Sequence, residues 1–412
     1  GLAVCFRSNV WNIGAEGQFI AGAIAAGSVA LTADADPGRW IVLPILLAGM
    51  AGGMAWAGIA AWLRDRFHAS EILVSLMLVY VAEQVLGWLV GGPLKDPMGY
   101  NFPQSKTFEA ATQIPLLFAG SRLHIGLLLA LVGVAVLWVF LFRTRAGFAQ
   151  QVGGLAPAAA RYAGFSSRSA LWLALLVSGG AAGLAGALEV AGPAGQLTLY
   201  IPAGYGFAAI IVAFVGRLHP VGVVFSSLLM SMLYIGGELA QSRLGLPKSI
   251  SLVFQGLLLF ILLACDTLIA YQWQRRSISA RRVKFFTRSK RAGAAGMNQL
   301  AMLLASVFSS GTVLALAALG LLINEKSGVI NLGAEGLMLC AALAGFAVGV
   351  HTGNGWLGFA AGMAAGAVLA GLLGVLVIWL NANQYAAGLA LSLFGAGLSA
   401  FMGTPYTQAS LP

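Results

Sequence analysis

The chain has 412 residues, 59% of them hydrophobic and only 9% charged, with a mean hydropathy of +0.88. Soluble domains carry about 25% charged residues, so this balance excludes an ordinary soluble globule, a disordered chain and a fibrous one. The net charge of +10 is concentrated, because eight of the 23 Lys/Arg residues lie between Arg275 and Arg291. Such clustering reports orientation in a membrane rather than a nucleic-acid face, and no nucleic-acid partner is expected. The composition therefore defines an all-α, polytopic integral membrane protein, a bundle of transmembrane helices in contact with lipid.

Apolar stretches long enough to cross about 30 Å of hydrocarbon are read at Gln18–Ala33, Trp40–Leu63, Ile72–Gly91, His124–Phe142, Ala170–Val190, Pro220–Glu238 and Ile250–Tyr271. After the basic stretch follow Leu300–Ile323, Leu337–Val350, Gly355–Leu380 and Gln384–Gly403. Gly206–Val215 differs. At about ten residues it is too short to cross and predicts a half-helix or re-entrant element of the kind that lines pathways. Lys/Arg placement makes Gln274–Arg291 cytoplasmic. The Arg143–Arg168 and Arg64–Glu71 loops then also lie inside, the Gly92–Leu123 and Gly192–Tyr205 loops outside, provided Gly206–Val215 reaches the inner face. Small-residue strings around Gly179–Gly186 and at Gly358, Gly362 and Gly366 predict closely packed helices.

The sequence matches itself at an offset of 319 residues. Arg7-Ser8-Asn9-Val10-Trp11-Asn12-Ile13-Gly14-Ala15-Glu16-Gly17 pairs with Lys326-Ser327-Gly328-Val329-Ile330-Asn331-Leu332-Gly333-Ala334-Glu335-Gly336. A weaker match sets Glu71, Ser75 and Leu78 against Gln384, Gly388 and Leu391. One module is thus present twice in direct order: residues 1–274, a basic cytoplasmic linker over 275–296, and the opening part of a second copy over 297–412. Gly1 inside an apolar run and Phe401–Pro412 just after one are expected of a piece of a longer sequence. A single crossing at Leu300–Ile323 would set the second motif on the opposite side from the first. Either Met297–Ser310 adds a partial crossing, or, as expected here, Met297 opens a second polypeptide joined to the first.

The repeated motif sets an acid at the mouth of an apolar helix, between glycines that permit a broken backbone. An ionisable group next to hydrocarbon is costly, so Asn12, Glu16, Asn331 and Glu335 are candidates for a substrate pathway or gate. The plainer reading is that each Asn caps a helix whose first turn holds the Glu. Glu83 lies about eleven residues into its span, near mid-bilayer, and is either pathway-facing or helix-bridging; the matching position in the second copy is Ala396. The Arg143–Arg168 loop contains a short Ala-rich helix opened by Pro157 and closed by Gly164, suited to docking on a soluble partner or to lying at the interface. None of the six lysines sits in a Gly-x4-Gly-Lys-Ser/Thr loop. Serine-nucleophile and paired-carboxylate constellations are absent as well. The cysteines (Cys5, Cys265, Cys340) and histidines (His68, His124, His219, His351) are dispersed, so no metal, cofactor or enzymatic chemistry is expected.

Three blocks carry a resemblance: the two Asn-(Ile/Leu)-Gly-Ala-Glu-Gly copies, the Ala159–Gly164 loop, and Gly206–Gly222 with its Arg217-Leu218-His219-Pro220 turn. In these the sequence resembles permease subunits of bacterial ABC importers of the branched-chain amino acid, ribose and nucleoside type, most of all the nucleoside or simple-sugar branch. Residues 1–276 resemble one permease without its opening helices; residues 297–412 resemble the amino-terminal part of a second. The resemblance implies a multi-pass protein of the bacterial inner (plasma) membrane, with a pathway for a small polar solute between two permeases. It also implies an extracytoplasmic solute-binding protein that delivers nucleosides, or simple sugars such as ribose, and ABC ATPase subunits on separate chains. Those ATPases would dock after Phe142, which makes Ala159, Arg161, Tyr162 and Gly164 the coupling-loop candidates. An incomplete second half is not expected to transport by itself. A secondary, ion-coupled transporter with direct repeats is the alternative, and it would need no docking loop.

Overall fold

Apolar runs in hydrocarbon must satisfy their backbone groups internally, and each expected span that the structure describes is helical. The computed structural model describes residues 1–33, 38–118, 123–245, 247, 249–270 and 316–407. The basic linker over 275–296 and the proposed partial crossing at Met297–Ser310 lie outside the described residues. Among those described, eight helices are long and apolar enough to cross a membrane, and no strand is present.

The helices run α1 (Leu2–Arg7), α2 (Ala15–Leu31), α3 (Val42–Phe67), α4 (Glu71–Gly91), α5 (Gly126–Arg143), α6 (Arg145–Leu155), α7 (Pro157–Tyr162), α8 (Ser167–Glu189), α9 (Tyr205–Val215) and α10 (Pro220–Leu244). They continue with α11 (Ile250–Ala270), α12 (Ala334–Thr352), α13 (Gly355–Gly374) and α14 (Gln384–Gly403). Their limits follow local chemistry. His68 ends α3 in a left-handed conformation (φ 54°). The Thr144 hydroxyl caps α6 by accepting from the Gly147 amide at 3.0 Å. Pro157 opens α7, and Asn383 caps α14 by accepting from the Tyr385 amide at 3.0 Å. Two of these differ from expectation. The span read at Gln18–Ala33 begins earlier, at Ala15, and Arg145–Leu155, read as loop, is a helix.

The chain divides into two compact units, Gly1–Met232 and Leu233–Pro412. In the first, α2, α3 and α8 pack around small residues. A Cβ placed on Gly183 of α8 would lie 2.8 Å from the Gly53 backbone of α3, so only glycine permits this approach. The loops after α4 and α8 meet at one end: Ser105 donates its amide to the Leu197 carbonyl at 2.9 Å, and Ile114 donates to Ala191 at 2.8 Å. At the other end the α3–α4 turn and the α6–α7 segment face each other, so the two arginine-bearing loops read as cytoplasmic share one face. In the second unit α12 packs on α13 through Gly345 and Gly358, and α11 packs on α14 through Gly256 and Phe394. The division by packing falls ahead of the 275–296 linker because α11 packs on α14.

Candidate functional site

The site is built on the chain break between α1 and α2. Asn9 takes a left-handed φ of 54°, which Asn tolerates better than most residues, and the chain then runs extended to Gly14 before α2 begins. The side chains of this segment close the break. Asn12 is fully buried and forms a reciprocal amide pair with Gln18, both bonds at 2.9 Å. It also donates to Ser178 Oγ at 3.0 Å and accepts the Gly14 amide at 3.1 Å. The Ile13 amide donates to Ser75 Oγ at 3.2 Å. Every polar group of the Asn12 amide is thereby used, as burial demands.

Ser178 lies midway along α8 and Ser75 in the second turn of α4, so α2 starts inside the bundle, a turn or so beyond the start of α4. The 17 residues of α2 span about 26 Å and the 11 of α9 about 16 Å at 1.5 Å per residue; α2 comes within a few Å of the roughly 30 Å of a full crossing, whereas α9 covers only about half of it. The start of α2 and the start of the half-length α9 meet at Glu16. Its carboxylate, only 1% exposed, accepts the Gly204 amide at 2.9 Å and the Gly206 amide beside it. These are free N–H groups at the start of α9, where the helix dipole is positive, and they compensate a carboxylate taken out of water. Gly206 lets the two backbones touch, since a Cβ there would strike the Ala15–Glu16 peptide. Tyr205 sets its ring edge-on to Phe19 of α2 at 5.9 Å. Glu83 of α4 is half-buried.

The second copy repeats this local packing. Asn331 Oδ1 accepts the Gly333 amide at 2.8 Å, as Asn12 accepts that of Gly14. Gly14 sits on Ser75 and Gly17 on Leu78 and Val79; Gly333 sits on Gly388 and Gly336 on Leu391 and Ser392. These are equivalent positions under the two offsets of the self-match. The copies differ at the acid: Glu335 is exposed where Glu16 is buried, and Asn331 is half-buried where Asn12 is sealed.

At the end that carries the α3–α4 turn, α6 and α7 form a bracket. Ala159, Arg161, Tyr162 and Gly164 are all exposed, Tyr162 to 98% and the neighbouring Leu155 to 86%, while Ala160 faces inward. Gly164 closes the bracket with a φ of 83°. Beneath it opens a cleft of about 660 Å³, with Arg64, Asp65, Glu71, Arg161 and Arg168 on its walls. Arg64 pairs with Glu71 at 3.2 Å and Arg168 with Asp65 at 2.7 Å.

The first unit thus places Asn12 and Glu16 at one junction, leaves Glu83 half-buried on α4, and sets Ala159, Arg161, Tyr162 and Gly164, the coupling-loop candidates, on one exposed bracket. Asn331 and Glu335 occupy the equivalent junction in the second unit. Sequence reasoning missed Gln18, Ser75, Ser178, Gly204 and Gly206 as partners, and Arg7, Gln150 and Gln151, which join the motif to α6. The Gln150-Gln151 pair inside an otherwise Gly/Ala-rich loop was the one signal that could have pointed there.

A half-length helix packed by its first turn into a bundle of apolar spans is the kind of element that lines pathways in transport proteins. Comparison with known proteins fixes the family: the model of the permease component of the branched-chain amino acid transport system matches residues 1–263 and again 303–410. The chain belongs to that family and is a permease component of an ABC transporter, multi-pass in the inner membrane. It is 36% identical over 286 residues to the glucose ABC transporter permease protein TsgB13 of Haloferax volcanii, covering 66% of this chain and 74% of that one. It is 32% identical over 274 residues to the guanosine ABC transporter permease protein NupP of Bacillus subtilis, covering 63% and 76%. A further match, 48% identical over 115 residues, is to the putative glucose permease TsgC13 of Haloferax volcanii; it takes in 28% of this chain and 35% of that protein. No solved structure matches significantly.

Proposed function

We propose that the chain supplies the translocation pathway of an ATP-driven importer of nucleosides, working with ABC ATPase subunits on the α6–α7 bracket and an extracytoplasmic solute-binding protein on the opposite face. Residues 1–274 and 297–412 are read as two permease modules joined by the basic linker over 275–296. Asn12, Glu16 and Glu83 serve as pathway or gate residues in the first module, Asn331 and Glu335 in the second. Ala159, Arg161, Tyr162 and Gly164 form the coupling element. The observation that carries this reading is the bracket itself: Tyr162 and Leu155 stand almost fully in water on the arginine-bearing face, beside the cleft, and such exposed large side chains mark a partner surface. A secondary transporter has no use for that element. A simple sugar is the second solute reading, favoured by the 36% identity to a permease named for glucose.

The test is uptake by the complete transporter in proteoliposomes, with radiolabelled guanosine, ribose and glucose in separate runs. ATP-dependent accumulation of guanosine supports the proposal. Accumulation of a sugar instead moves the solute and keeps the mechanism, and uptake driven by an ion gradient without ATPase subunits sinks it.

A further inference from the structure

Arg7 sits where three elements meet. Its Nε donates to the Leu218 carbonyl at 2.8 Å, in the turn that ends α9, and its Nη1 donates to Gln151 Oε1 at 3.2 Å on α6. The guanidinium carbon lies 5.1 Å from the ring centre of Phe142, at the end of α5. Gln151 is held in turn, donating to the Leu141 carbonyl at 2.7 Å. Next along the chain, Ser8 Oγ donates to Gln150 Oε1, and Gln150 Nε2 donates to the Ala170 carbonyl of α8 at 3.1 Å. Gly154 brings the end of α6 onto the Arg7 backbone, where a Cβ would lie 3.0 Å from the Arg7 carbonyl carbon.

The segment around Arg7, from Phe6 to Glu16, also holds α9 near both ends. Phe214 stacks on Phe6 at 5.2 Å and on Trp11 at 6.3 Å, and Glu16 caps the first turn. Arg217 and Leu218 both hold positive φ values, 51° and 55°, a conformation that side-chain-bearing residues keep only when their surroundings impose it. The turn's own backbone bonds, such as Leu218 N–H to the Ala213 carbonyl at 2.8 Å, hold that conformation, and Arg7 adds a side-chain bond at the Leu218 carbonyl. A displacement of α6 therefore passes through Arg7 and Ser8 to both ends of α9. The planar guanidinium can engage two acceptors in different directions at once, which a point-charge ammonium does less well. In the second copy the matching residue is Lys326, and it is exposed.

We infer that Arg7 is a positioning residue for transport: it carries movement of the α6–α7 bracket to the half-helix α9 through Gln151 and the Leu218 carbonyl. This rests on the reading of the bracket as the ATPase dock. The test uses the complete transporter in proteoliposomes and compares wild type with Arg7→Lys, Gln151→Leu and the double variant. Three quantities are read: ATPase subunits retained on purification, ATP hydrolysed, and solute imported per ATP. Retention and hydrolysis are expected to stay at wild-type level. Solute per ATP is expected to fall about tenfold in each single variant, the weight of one charge-assisted hydrogen bond, with no further loss in the double. Unchanged solute per ATP overturns the inference, and so does a parallel loss of retention, hydrolysis and import, which would make Arg7 an anchor of the fold. If Arg7→Lys fails to accumulate, Gln151→Leu decides alone, because it leaves the bond to Leu218 in place. A wild type that retains ATPase and imports on ATP while the variants stay coupled removes the strut only; a wild type that does neither removes the docking reading and the strut together.

Discussion

The Glu16 carboxylate accepts the backbone amide of Gly206, 190 residues further along the chain, and so ties the start of α2 to the start of the half-length α9. A carboxylate offers two acceptor oxygens and no donor, and here each oxygen takes one of two free N–H groups. Glu16→Gln keeps the size but turns an NH2 toward one of those N–H groups. The expected cost is about 1–3 kcal/mol for a buried donor left without an acceptor. Glu16→Asp keeps both oxygens on a shorter arm and should lose less. Thermal unfolding of the purified protein in detergent measures both, and a Gln variant that melts with wild type would remove the cap as a source of stability.

Gly204 and Gly206 both donate to Glu16 but should respond differently to alanine. Gly204 holds a φ of 80° with open space where a Cβ would go, whereas a Cβ on Gly206 meets the Ala15–Glu16 backbone. Gly204→Ala therefore meets only conformational strain, about 1–2 kcal/mol. Gly206→Ala forces two backbones apart and should cost more than that, at or beyond the 1–3 kcal/mol typical of overpacking. Expression level and melting temperature in the same detergent rank the two, and equal effects would mean that the α2–α9 contact is looser than drawn here.

Much of this arrangement was legible before any coordinates. The self-match located both motifs, and its two offsets also predict which glycine packs on which α4 or α14 residue. Pro157 and Gly164 marked both ends of α7 because a missing N–H and a positive φ each leave a sign in the sequence. Other features left none. The partners of Glu16 are two backbone amides, which any residue type could supply, so no side chain announces them. Arg145–Leu155 carries three glycines and little apolar periodicity; it is helical because Thr144 caps it and Gln150, Gln151 and Gly154 lock it against α1, α5 and α8. Arg7 read as the flank of a motif, since its two acceptors lie 144 and 211 residues away.

The repeated packing makes the two motifs comparable by experiment. A Cβ on Gly17 would lie 3.0 Å from Val79 Cα, and one on Gly336 would lie 2.8 Å from Ser392 Cα. Alanine at either position presses a helix against a backbone and should lower stability by about 1–3 kcal/mol. The two losses should be similar and, being far apart in sequence and held in separate local contacts, should add in the double variant. Chemical denaturation in mild detergent reads the sum. A silent Gly336→Ala beside a damaging Gly17→Ala would show that the second copy keeps the motif without its packing.

Tyr162 gives the cleanest separation of folding from partnership. Its side chain stands 98% exposed at the end of α7, where removing it takes away no internal contact, so Tyr162→Ala should change stability by no more than about 0.5 kcal/mol. A large aromatic left in water on a docking face is, by contrast, the kind of residue that anchors a partner, and its truncation there typically costs about 2 kcal/mol or more. Expressed with its ATPase subunits, the Tyr162→Ala transporter should therefore reach the membrane at wild-type level yet lose most of the ATPase on purification. Arg161→Glu, one residue earlier and also exposed, should weaken retention in a way that varies with salt, since a charge at an interface rim acts at longer range. If both variants hold their ATPase as tightly as wild type, the bracket is not the dock, and the partner surface must be sought elsewhere on the cytoplasmic face.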